Sequence, residues 1–223
     1  MNHLSLDKEH AITIPSGNLF LDGILTIPTN ATGLVLFVHG SGSSRFSVRN
    51  QYVAKILNEA KLATLLFDLF TPEEDAIDTV TRRLRFDITF LASRLIDATR
   101  WCLQQPMLQP LPIGYFGAST GGGAALVAAA TKPDNVRAII SRGGRPDLAG
   151  ESLTKVKLPT LLIVGGDDDV VIQMNQSAMS MLNCVKKLDI VPGATHLFEE
   201  PGTLDEVARL ARDWFVRYLS ESH

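Results

Sequence analysis

Short apolar runs alternate with longer helix-patterned stretches along most of this chain, and that alternation constrains the fold more than any other feature. GLVLFVH (33–39), LATLLFD (62–68), PIGYFGA (112–118), VRAIIS (136–141), TLLIVGG (160–166) and VKKLDIV (185–191) are too short for helices and suit buried strands. Between them lie a helical pattern near 47–60 and a long one near 84–105, whose Leu84, Ile88, Leu91, Leu95 and Cys102 share one face. Another helix follows 112–118 and runs to Lys132, where Pro133 stops it. Strands separated by helices imply a mostly parallel sheet covered on both faces, with ligand sites beyond the carboxyl ends of the strands. HAITI (10–14) and LFLDGILTI (19–27) come earlier and read as an antiparallel pair. A final helix opens with Thr203 and Glu206 as a capping box and puts Val207, Leu210, Trp214 and Tyr218 on a buried stripe. The polar stretch 71–83 (TPEEDAIDTVTRR) reads as a surface loop over the site, or as a plain connection.

At 223 residues without a break in composition, one domain over 1–223 is expected. Hydrophobic residues at 45% and charged residues at 20% give no support to disorder or a fibrous repeat. The formal charge of −3 is spread among interspersed signs, so nucleic acid is not an expected partner. The N-terminus lacks a basic segment followed by an apolar one, and no run approaches membrane-spanning length, so a cytoplasmic protein without a membrane partner is expected. Cys102 and Cys184 lack metal-ligand spacing and read as buried, reduced thiols. No metal or cofactor is expected, and a monomer or homodimer fits the composition.

GASTG at 117–121 has the G-x-S-x-G form of a nucleophile elbow and lies between a strand and a helix, where that turn must lie. A nucleophile held in so tight a turn needs small residues two positions to either side, and Gly117 and Gly121 supply them. Ser119 then needs a base. Of the five histidines, His3, His10 and His223 lie near the termini, and His39, before Gly40, suits shaping the adjacent loop. His196 remains, in the loop VPGATHLF after the last strand. The acid should follow TLLIVGG, where Asp167, Asp168 and Asp169 compete and spacing cannot choose. For the developing oxyanion, the Thr120 amide at a helix N-terminus is one natural donor. The second belongs to HGSGSS (39–44), with Ser41 first and Gly42 close behind.

VHGSGSS, FDLFTPEE, GYFGASTGG, SRGGRPDLAG, LLIVGGDDDVV and VPGATHLFEEPG stand in the order found in the dienelactone hydrolase family, which this chain resembles over nearly its whole length. The resemblance implies an α/β-hydrolase fold: a mostly parallel central sheet of about eight strands flanked by helices, with minimal or no lid. It places the family's acid on Asp168. Similar hydrolase domains are also found joined to phosphoribosyltransferase domains. The chain departs from the family's namesakes in carrying serine where they carry cysteine, and in lacking their carboxylate-binding arginines in FDLFTPEE and HLFEEPG. A serine esterase of small carboxylic esters or lactones, working through an acyl-enzyme, is therefore expected in place of a dienelactone-specific enzyme. Thioester cleavage or acyl transfer would use the same site, and a non-catalytic small-molecule sensor could keep the fold. Arg45, Arg49, Arg142 and Arg145 follow two strands that should border the site. Either Arg142 and Arg145 pair with Asp147 or cap loop carbonyls, or Arg45 and Arg142 contact an ester with an anionic distal end.

Overall fold

The computed structural model describes residues 4–131 and 133–220. Eight strands form one sheet: β1 (Glu9–Ser16), β2 (Leu19–Thr26), β3 (Gly33–Val38), β4 (Leu62–Phe67), β5 (Ile113–Ala118), β6 (Val136–Arg142), β7 (Thr160–Gly165) and β8 (Lys186–Val191). Their order is β1-β2-β4-β3-β5-β6-β7-β8, antiparallel at β1·β2 and β2·β4 and parallel from β4 onward. Among the described residues six α-helices cover it: α1 (Val48–Glu59), α2 (Pro72–Thr81), α3 (Ile88–Leu103), α4 (Thr120–Ala130), α5 (Asp169–Met181) and α6 (Thr203–Ser220). This is the α/β-hydrolase arrangement, with no lid among the described residues.

Alternation along each central strand divides the core in two. Leu34, Leu36 and Val38 of β3 face the side covered by α3, α4 and α5. Val35 and Phe37 face Val53 and Leu57 of α1 and Val207, Ala211, Phe215 and Leu219 of α6. Strands buried on both faces must read as continuous apolar runs, as β3, β4, β5 and β7 do.

Four local expectations change. Residues 72–81 form a helix, not a loop: Thr71 and Glu74 make a reciprocal capping box, Pro72 opens the first turn, and Glu73, Glu74 and Asp75 favour its positive end. The long helix begins at Ile88, capped by Asp87, while Leu84 belongs to a separate 3-10 turn (Leu84–Phe86). The capping box at α6 does not form. The Thr203 hydroxyl donates to the Glu200 carbonyl at 2.8 Å, and Glu206 pairs with Arg209 at 2.6 Å. The buried stripe of α6 keeps Val207 but continues through Ala211, Phe215 and Leu219, leaving Leu210, Trp214 and Tyr218 half-buried beside it. The predicted end of α4 at Lys132 lies outside the described residues. Cys102 is buried and Cys184 only partly so, and both are free thiols.

Candidate active site

The carboxyl ends of β3, β5, β6, β7 and β8 converge on one group of loops. Ser119 follows β5 with φ 51° and ψ −122°, a backbone conformation that side chains rarely adopt. Its neighbours leave no alternative packing. A Cβ on Gly117 would strike the Gly121 carbonyl, one on Gly121 would strike the Val38 carbonyl, and one on Gly40 would sit 2.9 Å from Ser119 Cβ. The backbone of the turn is fully engaged: the Ser119 amide donates to the Arg142 carbonyl at 3.3 Å, and its carbonyl accepts from Gly122 and Arg145 at 3.0 Å each. The hydroxyl is not spent on capping α4. The residue is partly buried at the positive end of that helix.

In the loop after β8, His196 Nδ1 lies 2.7 Å from Asp168 Oδ2. Of the three consecutive aspartates, Asp168 alone meets the ring, while Asp167 and Asp169 are exposed. The side chains of His196 and Asp168 are 39% and 17% exposed, so the acid is largely shielded while the imidazole remains open to a ligand. The loops carrying them are tied together. The Asp167 amide donates to the Ala194 carbonyl at 2.9 Å, and Gly166 donates to Val191 at 2.8 Å. Glu200 closes the histidine loop by accepting from the Thr195 hydroxyl at 2.6 Å and the Thr195 amide at 3.1 Å. The Thr195 hydroxyl, followed by backbone donors, holds the Glu200 carboxyl below the usual carboxylate range. Residues 142 and 143 form a wall common to Ser119 and His196: the Arg142 carbonyl accepts from the Ser119 amide, and a Cβ on Gly143 would lie 3.7 Å from His196 Cε1.

The two residues expected to supply oxyanion donors are neighbours, with Ser41 Oγ 3.3 Å from Thr120 Oγ1. Ser41 also reaches the Arg85 carbonyl at 3.4 Å. That carbonyl is fixed by Asp78, which is 1% exposed and accepts from the amides of Leu84 and Arg85 and from Arg85 Nε at 2.6 Å. His39 is a structural group. Its Nδ1 bonds the Gly40 carbonyl at 2.9 Å and its Nε2 accepts from the Leu69 amide at 3.0 Å, so both ring nitrogens are spent on backbone.

The arginines divide. Arg145 pairs with Asp147 at 2.7 Å, as its structural reading requires. Arg45, expected as a substrate contact, is engaged within the protein: Asp68 takes its guanidinium and, at 2.6 Å, its amide, and Asp22 lies 3.4 Å away. Arg142 is buried and does not pair with Asp147; its Nη2 donates to Asn50 Oδ1 at 3.0 Å. Arg49 meets Glu199 at 3.2 Å. Beyond His39 lies a cleft of about 230 Å³ whose lining includes Phe20, Asp22, Asp68, Phe70 and Asp75. Sequence reasoning had no pointer to Asp78 or Glu200, since a single carboxylate in a polar stretch looks the same whether it is solvated or clamps a loop.

The family model of dienelactone hydrolases matches residues 43–220. The chain belongs to the dienelactone hydrolase family. A crystal structure of dienelactone hydrolase from Anabaena variabilis is 60% identical, covers 95% of this chain and 98% of its own, and superposes with a TM-score of 0.93. A Xanthomonas campestris protein described as an α/β serine hydrolase without a lid shares the fold at a TM-score of 0.77 and 20% identity, covering both chains fully. Mycobacterium tuberculosis relatives that carry a phosphoribosyl transferase name are 57% identical over 212 residues, which is 95% of this chain and 47% of theirs. This family member thus spans about half the length of the curated relatives it matches.

Proposed function

We propose that this dienelactone hydrolase family member cleaves small carboxylic esters or lactones through an acyl-enzyme on Ser119. The observation that carries the reading is an uncommitted hydroxyl in a strained turn, sharing a wall with an imidazole whose other nitrogen is held 2.7 Å from a shielded carboxylate. Asp168 fixes the His196 tautomer, so that Nδ1 carries the proton and Nε2 is left as the base. His196 takes the Ser119 proton as Oγ attacks the ester carbonyl, and the oxyanion is received by the Ser41 and Thr120 amides. The imidazolium then returns its proton to the leaving alkoxide, and the same base activates the water that releases the acid. Each such amide typically contributes about 3 kcal/mol in the transition state.

The phosphoribosyl transferase name of the longer relatives belongs, on this reading, to the part of their length that this chain does not match. A fluorophosphonate probe should label Ser119, and Ser119→Ala should abolish both labelling and turnover of short p-nitrophenyl esters. Labelling that persists in that variant, or an adduct mapped elsewhere, would overturn the assignment.

A further inference from the structure

Among the described residues two guanidinium groups are buried, those of Arg94 and Arg142. Arg94 has a carboxylate partner: Nη2 meets Glu74 Oε1 at 2.5 Å and Nη1 donates to Ser16 Oγ at 2.9 Å, although its Nε too is buried without an acceptor. Arg142, 5% exposed, has no carboxylate partner among the described residues. Its one hydrogen bond goes to the neutral Asn50, and its Nε is buried without an acceptor. The charge that acts on it is another cation, Arg49, whose Nε is likewise buried and unpartnered. Among the described residues the only carboxylate paired at this cluster is Glu199, 64% exposed, which meets Arg49 at 3.2 Å. Burial and Arg49 bring the Arg142 pKa down to about 10, so it stays charged at neutral pH. A buried cation beside a like charge is costly unless an anion completes the set.

The position of this cluster is informative. Arg142 ends β6 opposite Ala118, the residue before the nucleophile, and its carbonyl holds the Ser119 amide. Its guanidinium lies 5.8 Å from the ring of Phe198, two residues beyond His196. On the other flank the carboxylates of the cleft beyond His39 include Asp22 and Asp68, which Arg45 already pairs, and Asp75. We propose that Arg142 and Arg49 form an oxyanion-binding subsite, so that the non-reacting end of the substrate carries a carboxylate or phosphoryl group seated on the free edge of Arg142. This rests on the ester-hydrolase reading above and narrows its substrate class. The planar guanidinium fork suits either group. The two positions differ from those of the carboxylate-binding arginines that the family resemblance implied, since the stretches after β4 and after His196 contain none.

Anion binding is read on the Ser119→Ala protein, which cannot turn over an ester, so the result is independent of whether the triad assignment holds. Succinate, inorganic phosphate and neutral dimethyl succinate are titrated by calorimetry and thermal shift, with sodium chloride at matched ionic strength as the baseline. One or both anions should bind and raise Tm by about 3 °C at tenfold Kd, and dimethyl succinate should not. Succinate alone identifies a carboxylate, and phosphate alone identifies a phosphoryl group. Arg142→Lys, which keeps charge but loses the fork, and Arg49→Gln, at a less buried position, should each weaken binding at least tenfold. No shift above the chloride baseline, or undiminished binding in Arg49→Gln and Arg142→Lys alike, overturns the subsite. In the active protein an aryl hemisuccinate should exceed its methyl-capped analogue at least tenfold in kcat/KM, and Arg49→Gln should bring that ratio near one. Equal rates in the unmutated protein would remove the anionic substrate even if free anions bind.

Discussion

His39 and His196 both stand just past a parallel strand, one after β3 and the other after β8, within the same group of loops. Their surroundings are opposed. His39 is 3% exposed, and both of its ring nitrogens are consumed by the backbone at Gly40 and Leu69. His196 is 39% exposed in its side chain, and its one side-chain hydrogen bond among the described residues is to Asp168. A fully satisfied imidazole stabilises a loop, and an imidazole with one nitrogen left over can move a proton. Burial also pushes the His39 pKa below the ordinary imidazole value, keeping it neutral, although the Gly40 hydrogen bond acts in the opposite direction. The two rings thus differ in what each leaves unbonded, more than in residue type or place in the topology.

His196→Ala should break the comparison most severely. Steady-state turnover of an activated ester should fall by about 10⁵- to 10⁶-fold. Thermal unfolding should move little, because the ring is exposed and holds no backbone group. Next in size, Asp168→Asn should lower kcat/KM by roughly 10⁴-fold by disturbing the histidine tautomer. Asp167→Asn and Asp169→Asn should stay within about tenfold, since surface changes away from the site perturb little. If Asp167→Asn or Asp169→Asn were the damaging change, the acid would move to that neighbour.

His39→Ala should show the reverse balance. Leaving the buried Leu69 amide unpaired costs about 1 to 3 kcal/mol, visible as a lower denaturation midpoint, while activity below the melting range falls by no more than about 10²-fold through a shifted oxyanion loop. The pH dependence sharpens the contrast. A histidine whose folded pKa is depressed contributes stability fully above its unfolded value of about 6.5 and loses it as pH falls toward the folded value. Melting curves of the unmutated protein should therefore drop below about pH 6.5, and His39→Ala should flatten that part of the slope. An unchanged slope would mean that His39 is not held neutral by the fold.

Much of this architecture was legible because it rests on short-range pattern. Runs such as LATLLF and TLLIVG are apolar on both faces, and GASTG is squeezed between a strand and a helix. The elements that escaped depend on contacts far apart in sequence. Helix α2 exposes Ile77 and Val80 at 60% and 84%, so no buried stripe announced it, although Thr71, Pro72 and Glu74 together were a readable start signal. The α6 stripe turned by one residue because Phe215, not Trp214, packs into the space at Gly114. Arg45 looked like Arg142 as a loop arginine near the site. Only the fold brings Asp68 to one and leaves the other beside Arg49.

The Ser119 turn has a meaning for how such a protein can change over generations. A φ of 51° is a conformation that glycine adopts freely and serine does not, at a cost of order 1 to 3 kcal/mol. Ser119→Gly would relieve that strain, and the greater freedom of glycine in the unfolded chain would take back only about 0.5 to 1 kcal/mol. Drift toward greater stability at this position therefore leads away from the proposed nucleophile, and a lineage released from any need for that hydroxyl has a short path to a sturdier protein of the same shape.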